Sequence, residues 1–174
     1  MKAVLLSINP KWCGLIASER KTLEIRKSKP GLEAPFKVCI YCTKGRAIHF
    51  WKSKTYSYAD DRSHNVFDRC GDGKVIGEFI CDRVYQYTTT NIADGVDISE
   101  NEVVSKSCLS CKELDAYENS AEPKENCIYR VGLYCWHITA LKIYDTPNTL
   151  ADFGIKRAPM SWRYVEIPDA AAEV

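Results

Sequence analysis

Residues 2–26 read KAVLLSINPKWCGLIASERKTLEIR, and their reading decides the fold. Lys2–Ile8 is an unbroken apolar run closed by Asn9-Pro10, the pattern of a strand buried on both faces. Asn9 can cap a helix and Pro10 can occupy its first position. A short helix from Pro10 to about Ser18 follows, with Trp12, Leu15 and Ile16 on one face. Thr22–Arg26 alternates polar and apolar, which predicts a half-buried strand with Thr22, Glu24 and Arg26 on one side.

The pattern continues outward as strands with few helices. Phe36–Thr43 reads as a strand, and so does the longer Lys74–Tyr87, with Gly77 at a possible bulge. Thr88–Ser107 is polar and expected to be irregular. Ser110–Asn119 fits a helix whose Ser110 and Glu113 form a capping box. Tyr134–Tyr144 holds one or two strands, Asn148–Phe153 a helical turn stopped by Gly154, and Met160–Ile167 a last strand. Sequential strands without regular helical crossovers exclude a doubly wound sheet and favour a mainly β (α+β) fold: a small antiparallel or mixed barrel with short helices at its rim.

At 174 residues the chain suits one domain, spanning 1–167, with an insertion at about 46–72 and a frayed tail at 168–174. The insertion carries His49, His64 and Trp51 without clear periodicity. With 24 basic and 23 acidic residues the net charge is +1, unlike a strongly basic nucleic-acid coat protein. No run approaches the ~18 apolar residues of a membrane span. Nine cysteines, an odd number without a signal-like leader, point to a reduced, cytoplasmic protein. Cys13, Cys39 and Cys81 read as small buried hydrophobes. Cys39 and Cys42 lie three apart on a strand, so their thiols face opposite sides. Cys108 and Cys111, with Cys127 and Cys135, are a weak zinc candidate, because the second pair lacks the CxxC spacing. No metal and no cofactor are expected.

The segment 19–29 holds five basic and two acidic residues, a basic cluster concealed by the near-zero net charge. Lys21, Glu24 and Arg26 could form a polar constellation in which Arg26 offers a planar fork to phosphate or a base. Spacing alone favours a plainer reading, a solvated strand face carrying an ion pair.

The ordered set Val4–Trp12, Leu15–Ser18, Lys21–Arg26, Val38–Lys44, Lys74–Val84, Trp136–Ile138, Leu141–Tyr144 and Pro159–Val165 resembles the ASCH domain family of the PUA-like superfamily. The family motif, Gly-x-Lys-x-x-Glu-x-Arg, is matched by Lys21, Glu24 and Arg26, with Glu19 at the glycine position. The resemblance implies a small barrel whose cleft lies beside the first helix and is lined by these three residues. It also implies RNA, or a modified nucleobase or nucleotide, as the ligand. One family branch removes the acetyl group of N4-acetylcytidine, with a lysine that matches Lys21. Other members are ribonucleases. An enzyme here would rely on Lys21 and Glu24 as an acid/base pair. Trp12, Trp136 and Trp162, with the hydroxyl of Ser161, are candidates to wall a base. A third class is an interaction module that uses the 46–72 insertion. Protein partners are not legible.

Overall fold

The computed structural model describes residues 1–45, 72–88, 97–120 and 132–167. The expected insertion at 46–72 (apart from Asp72), Cys127 and the tail lie outside them.

The run Lys2–Ile8 forms strand β1, an interior strand of a mixed sheet. It pairs in parallel with β3 (Phe36–Cys42) and antiparallel with β8 (Trp162–Glu166). Both faces of β1 are covered, which is why it is apolar at nearly every position. Val4, Leu6 and Ile8 point into one apolar cluster, Ala3 and Leu5 into another. Strands β4 (Lys74–Cys81) and β7 (Thr139–Asn148) complete the sheet in the order β7-β4-β3-β1-β8. Gly77 lies at a register shift between β4 and β7, as its place in the sequence suggested. A Cβ there would come within 2.5 Å of the Lys142 carbonyl oxygen, so no larger residue fits.

A second, antiparallel sheet has the order β2-β6-β5, from Leu23–Arg26, Leu133–His137 and Val84–Tyr87. Its outer face, with Leu23, Ile25, Leu133 and Cys135, packs under Val103 and Leu114 of two helices. These are α2 (Glu100–Ser107) and α3 (Cys111–Asn119); α1 is Pro10–Ala17. The capping box of Ser110 and Glu113 is present, and so is the Asn9 cap of α1. Helix α2 falls in the stretch expected to be irregular. It is short and polar, and the burial of Val103 holds it in place.

Two further expectations are corrected. The strand expected over Lys74–Tyr87 is two strands, because the chain leaves the larger sheet at Asp82-Arg83 and enters the smaller one. It returns between β6 and β7 at Ile138, beside Ala140 at φ +45°. His137 Nδ1 lies 2.7 Å from Asp82 Oδ1 and ties the two crossings into one corner. The strands also form two sheets rather than one closed barrel: among the described residues no ladder joins β2 to β8. On that side β2 meets the end of α2 instead, with Thr22 N donating to the Lys106 carbonyl at 2.8 Å.

Candidate functional site

The unjoined side is where the charged residues of 19–29 come to lie. On β2, Glu24 stands opposite Trp136 of β6 and Arg26 opposite Tyr134, so these four side chains share the inner face of the small sheet. That face packs against Val4, Leu6 and Ile8 of β1 in one apolar cluster; among the described residues no ladder joins β2 to β1, and this gap is one in hydrogen bonding rather than a cavity. Lys21, Glu24 and Arg26 are only 2, 5 and 9% exposed. The solvated-face reading is therefore overturned. Strand alternation placed Glu24 and Arg26 on one side, but the periodicity could not show that a second sheet covers it.

The three side chains form one network. Arg26 Nη2 lies 2.8 Å from Glu24 Oε1, and Lys21 Nζ lies 3.4 Å from Glu24 Oε2. Lys21 Nζ also donates to the Ser107 carbonyl at 2.9 Å, at the C-terminal turn of α2, where a cation is favoured. Arg26 spans the unjoined side: Nη2 donates to the Ser7 carbonyl of β1 at 2.7 Å, and Nη1 to Ser161 Oγ, just before β8, at 3.3 Å. Guanidinium donors thus take the place of a missing strand ladder.

Two formal positive charges and one negative leave this buried cluster at +1. Among the described residues, no other carboxylate is hydrogen-bonded to or ion-paired with Lys21 or Arg26. Tyr117 is held above its ordinary pKa by burial, with Arg26 pulling down and Glu24 pushing up. The Cys13 thiol is raised well above its usual value, chiefly by burial and then by Cys42. Among the described residues, two buried donors have no hydrogen-bond partner: Arg26 Nε and the indole Nε1 of Trp136. Both belong to the same sheet face, on adjacent strands.

The tryptophans divide by role. Trp136 is fully enclosed, so its ring is core, and its Nε1 has no hydrogen-bond partner among the described residues. Trp12 is half-buried, and two ammonium groups lie over its ring, Lys11 at 4.3 Å and Lys21 at 5.3 Å. Trp162 is half-buried, with its ring 6.1 Å from that of Trp136 and its Nε1 bonded to Ser28 Oγ at 3.0 Å. Ser161 holds Arg26, as above. The structure therefore links Lys21, Glu24, Arg26, Trp12, Trp136, Ser161 and Trp162 through a chain of contacts along the unjoined side.

Sequence reasoning missed the Ser7 and Ser107 carbonyls, since a backbone acceptor leaves no trace in residue type. Ser7 did give one signal: it is the single polar residue within Ala3–Ile8.

Glu19, at the motif's glycine position, has φ +60°. Arg20 N donates to the Leu15 carbonyl at 2.9 Å and Glu19 N to the Ile16 carbonyl at 2.8 Å, the two bonds that end a helix on a left-handed residue. Glycine is the usual residue there, and this chain accepts a strained glutamate instead.

The cysteines are mostly core. Cys39, Cys81 and Cys135 are buried, and burial pushes each thiol up to about 12. Cys39 and Cys42 sit in different apolar clusters, on opposite faces of the large sheet. Of the weak zinc candidates, Cys135 is enclosed in the outer apolar cluster. Cys108 Sγ donates to the Arg20 carbonyl at 3.3 Å, and Cys111 Sγ to Glu100 at 3.0 Å. Among the described residues no three His, Cys, Asp or Glu side chains converge on a metal position. None of the described helices is long and apolar enough to cross a membrane.

With this geometry in view, the chain can be set beside solved structures. An ASCH structure from Zymomonas mobilis superposes with a TM-score of 0.60 and 14% identity, covering 94% of this chain and 87% of that one. The chain has the ASCH fold. Two single-residue variants of the Zymomonas ASCH protein superpose at TM-scores of 0.57 and 0.52, each with 14% identity. They cover 94 and 95% of this chain, and 88 and 91% of theirs. No family model matches the sequence, and no curated protein does. What is shared with the ASCH structures is therefore the path of the backbone, and the chemistry of the gap has to be argued from this chain's own residues.

Proposed function

We propose that this chain is an ASCH-family, PUA-like protein that binds a nucleotide or a nucleobase of RNA in the gap between β2 and β1. The observation that carries this reading is the buried cluster with a charge of +1 and two unpartnered donors, Arg26 Nε and Trp136 Nε1, on one face. A buried N–H without an acceptor costs about 1–3 kcal/mol, and an uncompensated buried charge costs more. A ligand rich in acceptors and carrying negative charge relieves both. A nucleotide offers carbonyl and ring-nitrogen acceptors on its base and an anionic phosphate. Glu24 serves as the fixed anion between Lys21 and Arg26, since each of its oxygens already faces a cation. Trp12 and Trp162 flank the gap as apolar walls. The seven described cysteines are free thiols, which suits a reducing cytoplasm.

The test is a titration of nucleosides and nucleoside monophosphates followed by tryptophan fluorescence. Trp136→Phe keeps an aromatic ring and deletes the donor. It is expected to weaken binding about tenfold, the effect of one lost buried hydrogen bond. Arg26→Gln is expected to weaken the monophosphates more than the nucleosides. Unchanged affinity in both variants, with the fold intact by circular dichroism, rejects the gap as the binding site.

The contact between Lys21 Nζ and Glu24 Oε2 favours a second reading, hydrolysis of an acylated cytidine or of RNA by an acid/base pair. It is the weaker reading, because Lys21 is committed as a donor to the Ser107 carbonyl. Release of acetate from N4-acetylcytidine, or cleavage of labelled RNA, in the presence of a chelator and abolished by Lys21→Ala, would establish it.

A further inference from the structure

The face of the large sheet turned away from the small one carries an open depression of about 840 Å³ beside the edge strand β8. Phe153, Ile155, Val165 and Ile167 form its floor, and they belong to the apolar cluster into which Ala3 and Leu5 of β1 point. The gap with Lys21, Glu24 and Arg26 is on the opposite face, where Val4, Leu6 and Ile8 point. Met1 lines the depression as well, with half of its surface in water. An apolar floor left open to water costs free energy that a covering surface recovers.

The same face carries an apolar knob. Met160 is fully exposed, and with Met1 it makes up the exposed large apolar side chains among the described residues. Ser7 alternates with Ala3 and Leu5 along β1, so its hydroxyl lies on the side of the depression, where it donates to the Pro159 carbonyl at 2.7 Å. Ser7 N donates to the Ser161 carbonyl at 2.8 Å. The two bonds fix the backbone on either side of Met160, so covering its side chain orders little else. The loop leading to the knob leaves the depression at Gly154-Ile155 and carries Lys156 and Arg157, both exposed and without an ion-pair partner among the described residues. At the depression itself, the turn Ala151–Phe153 presents Asp152. Thr149 N and Oγ1 donate to Asp152 Oδ2 at 2.7 and 2.9 Å, which holds the carboxyl below the usual carboxylate range and leaves Oδ1 without a partner among the described residues. Arg163 and Glu166 also line the depression, and Glu166 Oε2 lies 4.0 Å from the N-terminal ammonium. Asp152 is thus the acid open to an incoming cation.

We propose that this face joins two copies of the chain about a two-fold axis, with Met160 of each seated on the apolar floor of the other and Arg157 of each facing the other's Asp152. Knob, cations, floor and open carboxylate sit on one face of one molecule, so a two-fold axis pairs all of them at once. An unrelated partner would have to supply both a hollow for Met160 and an apolar surface for the floor. The contact is small and its charges lie at the rim, so the dimer is reversible, with a dissociation constant on the order of 10 µM or weaker. The inference is independent of the nucleotide reading, because the gap is on the opposite face of the sheet.

The test is sedimentation equilibrium from about 1 to about 500 µM, on the parent, Met160→Ser, Asp152→Asn and the combined variant Lys156→Ala, Arg157→Ala. The parent is expected to move from 19.8 kDa toward twice that mass as concentration rises. Met160→Ser weakens the dimer about tenfold for each seated side chain, and so about a hundredfold for the pair. The combined variant weakens it about fivefold, and its dissociation constant no longer rises with salt. Asp152→Asn keeps an acceptor for Thr149, weakens the dimer to the same degree, and adds nothing when joined to the combined variant. All these positions are exposed, and the variants keep the parent's circular dichroism and melting point. A parent that stays at the monomer mass throughout leaves this face to another protein and overturns the proposal. So does a dimer that Met160→Ser leaves intact, or a mass that climbs past two copies, which marks a contact that does not close. If the Asp152 and cation variants are additive, the pairing of Arg157 with Asp152 falls and the apolar contact stands.

Discussion

Two of the clusters that place a lysine beside a glutamate, one on each sheet, have opposite characters. On the large sheet, Glu78 accepts from Lys37 Nζ at 2.9 Å and from the Tyr144 hydroxyl at 2.7 Å. Its charges cancel, both carboxylate oxygens are bonded, and the lysine and glutamate side chains keep 19 and 22% of their surface in water. In the gap, Glu24 is shared by Lys21 and Arg26, the sum is positive, the cluster is enclosed and two donors have no acceptor. The first cluster is complete without a ligand and contributes to holding a sheet together. The second is an expensive way to build a core, and its excess charge and open donors are what a bound anionic acceptor would relieve.

The largest expected effect tests that contrast directly. Glu24→Ala leaves Lys21 and Arg26 buried with no anion between them and is expected to destabilise the fold by about 3–5 kcal/mol. Urea denaturation measures it, and a loss under about 1 kcal/mol means the cluster is hydrated rather than enclosed. Lys21→Met is expected to cost much less, about 1–2 kcal/mol, because the neutral Glu24–Arg26 pair survives and the losses are the bond to the Ser107 carbonyl and the 3.4 Å contact with Glu24. If the two variants are equally damaging, the idea of a surplus cation fails.

Glu78→Gln is expected to cost about 1 kcal/mol or less at neutral pH, since the pair is partly hydrated. Burial pushes the Glu78 carboxyl up. Hydrogen bonds from Tyr144 and Lys37, with the charges of Lys37 and Lys142, outweigh it and hold the group below the ordinary carboxylate range. A carboxylate lowered in the folded state stabilises above its unfolded pKa, and that contribution is lost as pH falls through the folded value. The gap between parent and Glu78→Gln in urea midpoint should therefore be full at neutral pH and close on acidification below about pH 4. A gap that persists at low pH shows that packing rather than charge was lost.

The smallest effect concerns the left-handed residue that ends α1. Glu19→Gly is expected to stabilise by about 0.5–1 kcal/mol, because it relieves a left-handed glutamate at some cost in unfolded-chain entropy. A thermal melt reads this. A destabilised Glu19→Gly means that the glutamate side chain has its own structural contact.

Much of the architecture was legible because local rules acted unopposed. The two-sided burial of β1, the Asn9 and Pro10 start of α1, the Ser110 capping box and the Gly77 irregularity each depend on neighbours close in sequence. The misreadings share one cause. At Asp82-Arg83 the chain changes sheets without a break in its strand-like pattern. In α2, a single turn of apolar packing around Val103 outweighs a polar composition. The missing ladder between β2 and β8 is a relation between segments more than a hundred residues apart, which no window along the chain contains.

The site divides in the same way. Residue types and spacing singled out Lys21, Glu24 and Arg26, because three charged groups at those intervals on a short strand are a chemical pattern in themselves. Their environment was decided only in three dimensions. Burial, the surplus positive charge, the Ser7 and Ser107 carbonyls and the unpartnered donors of Arg26 and Trp136 arise when β1, α2 and β6 close around β2. Local sequence fixes which groups are present and which side of a strand they take. Solvation and pairing depend on what covers that side, and that is a property of the assembled sheets.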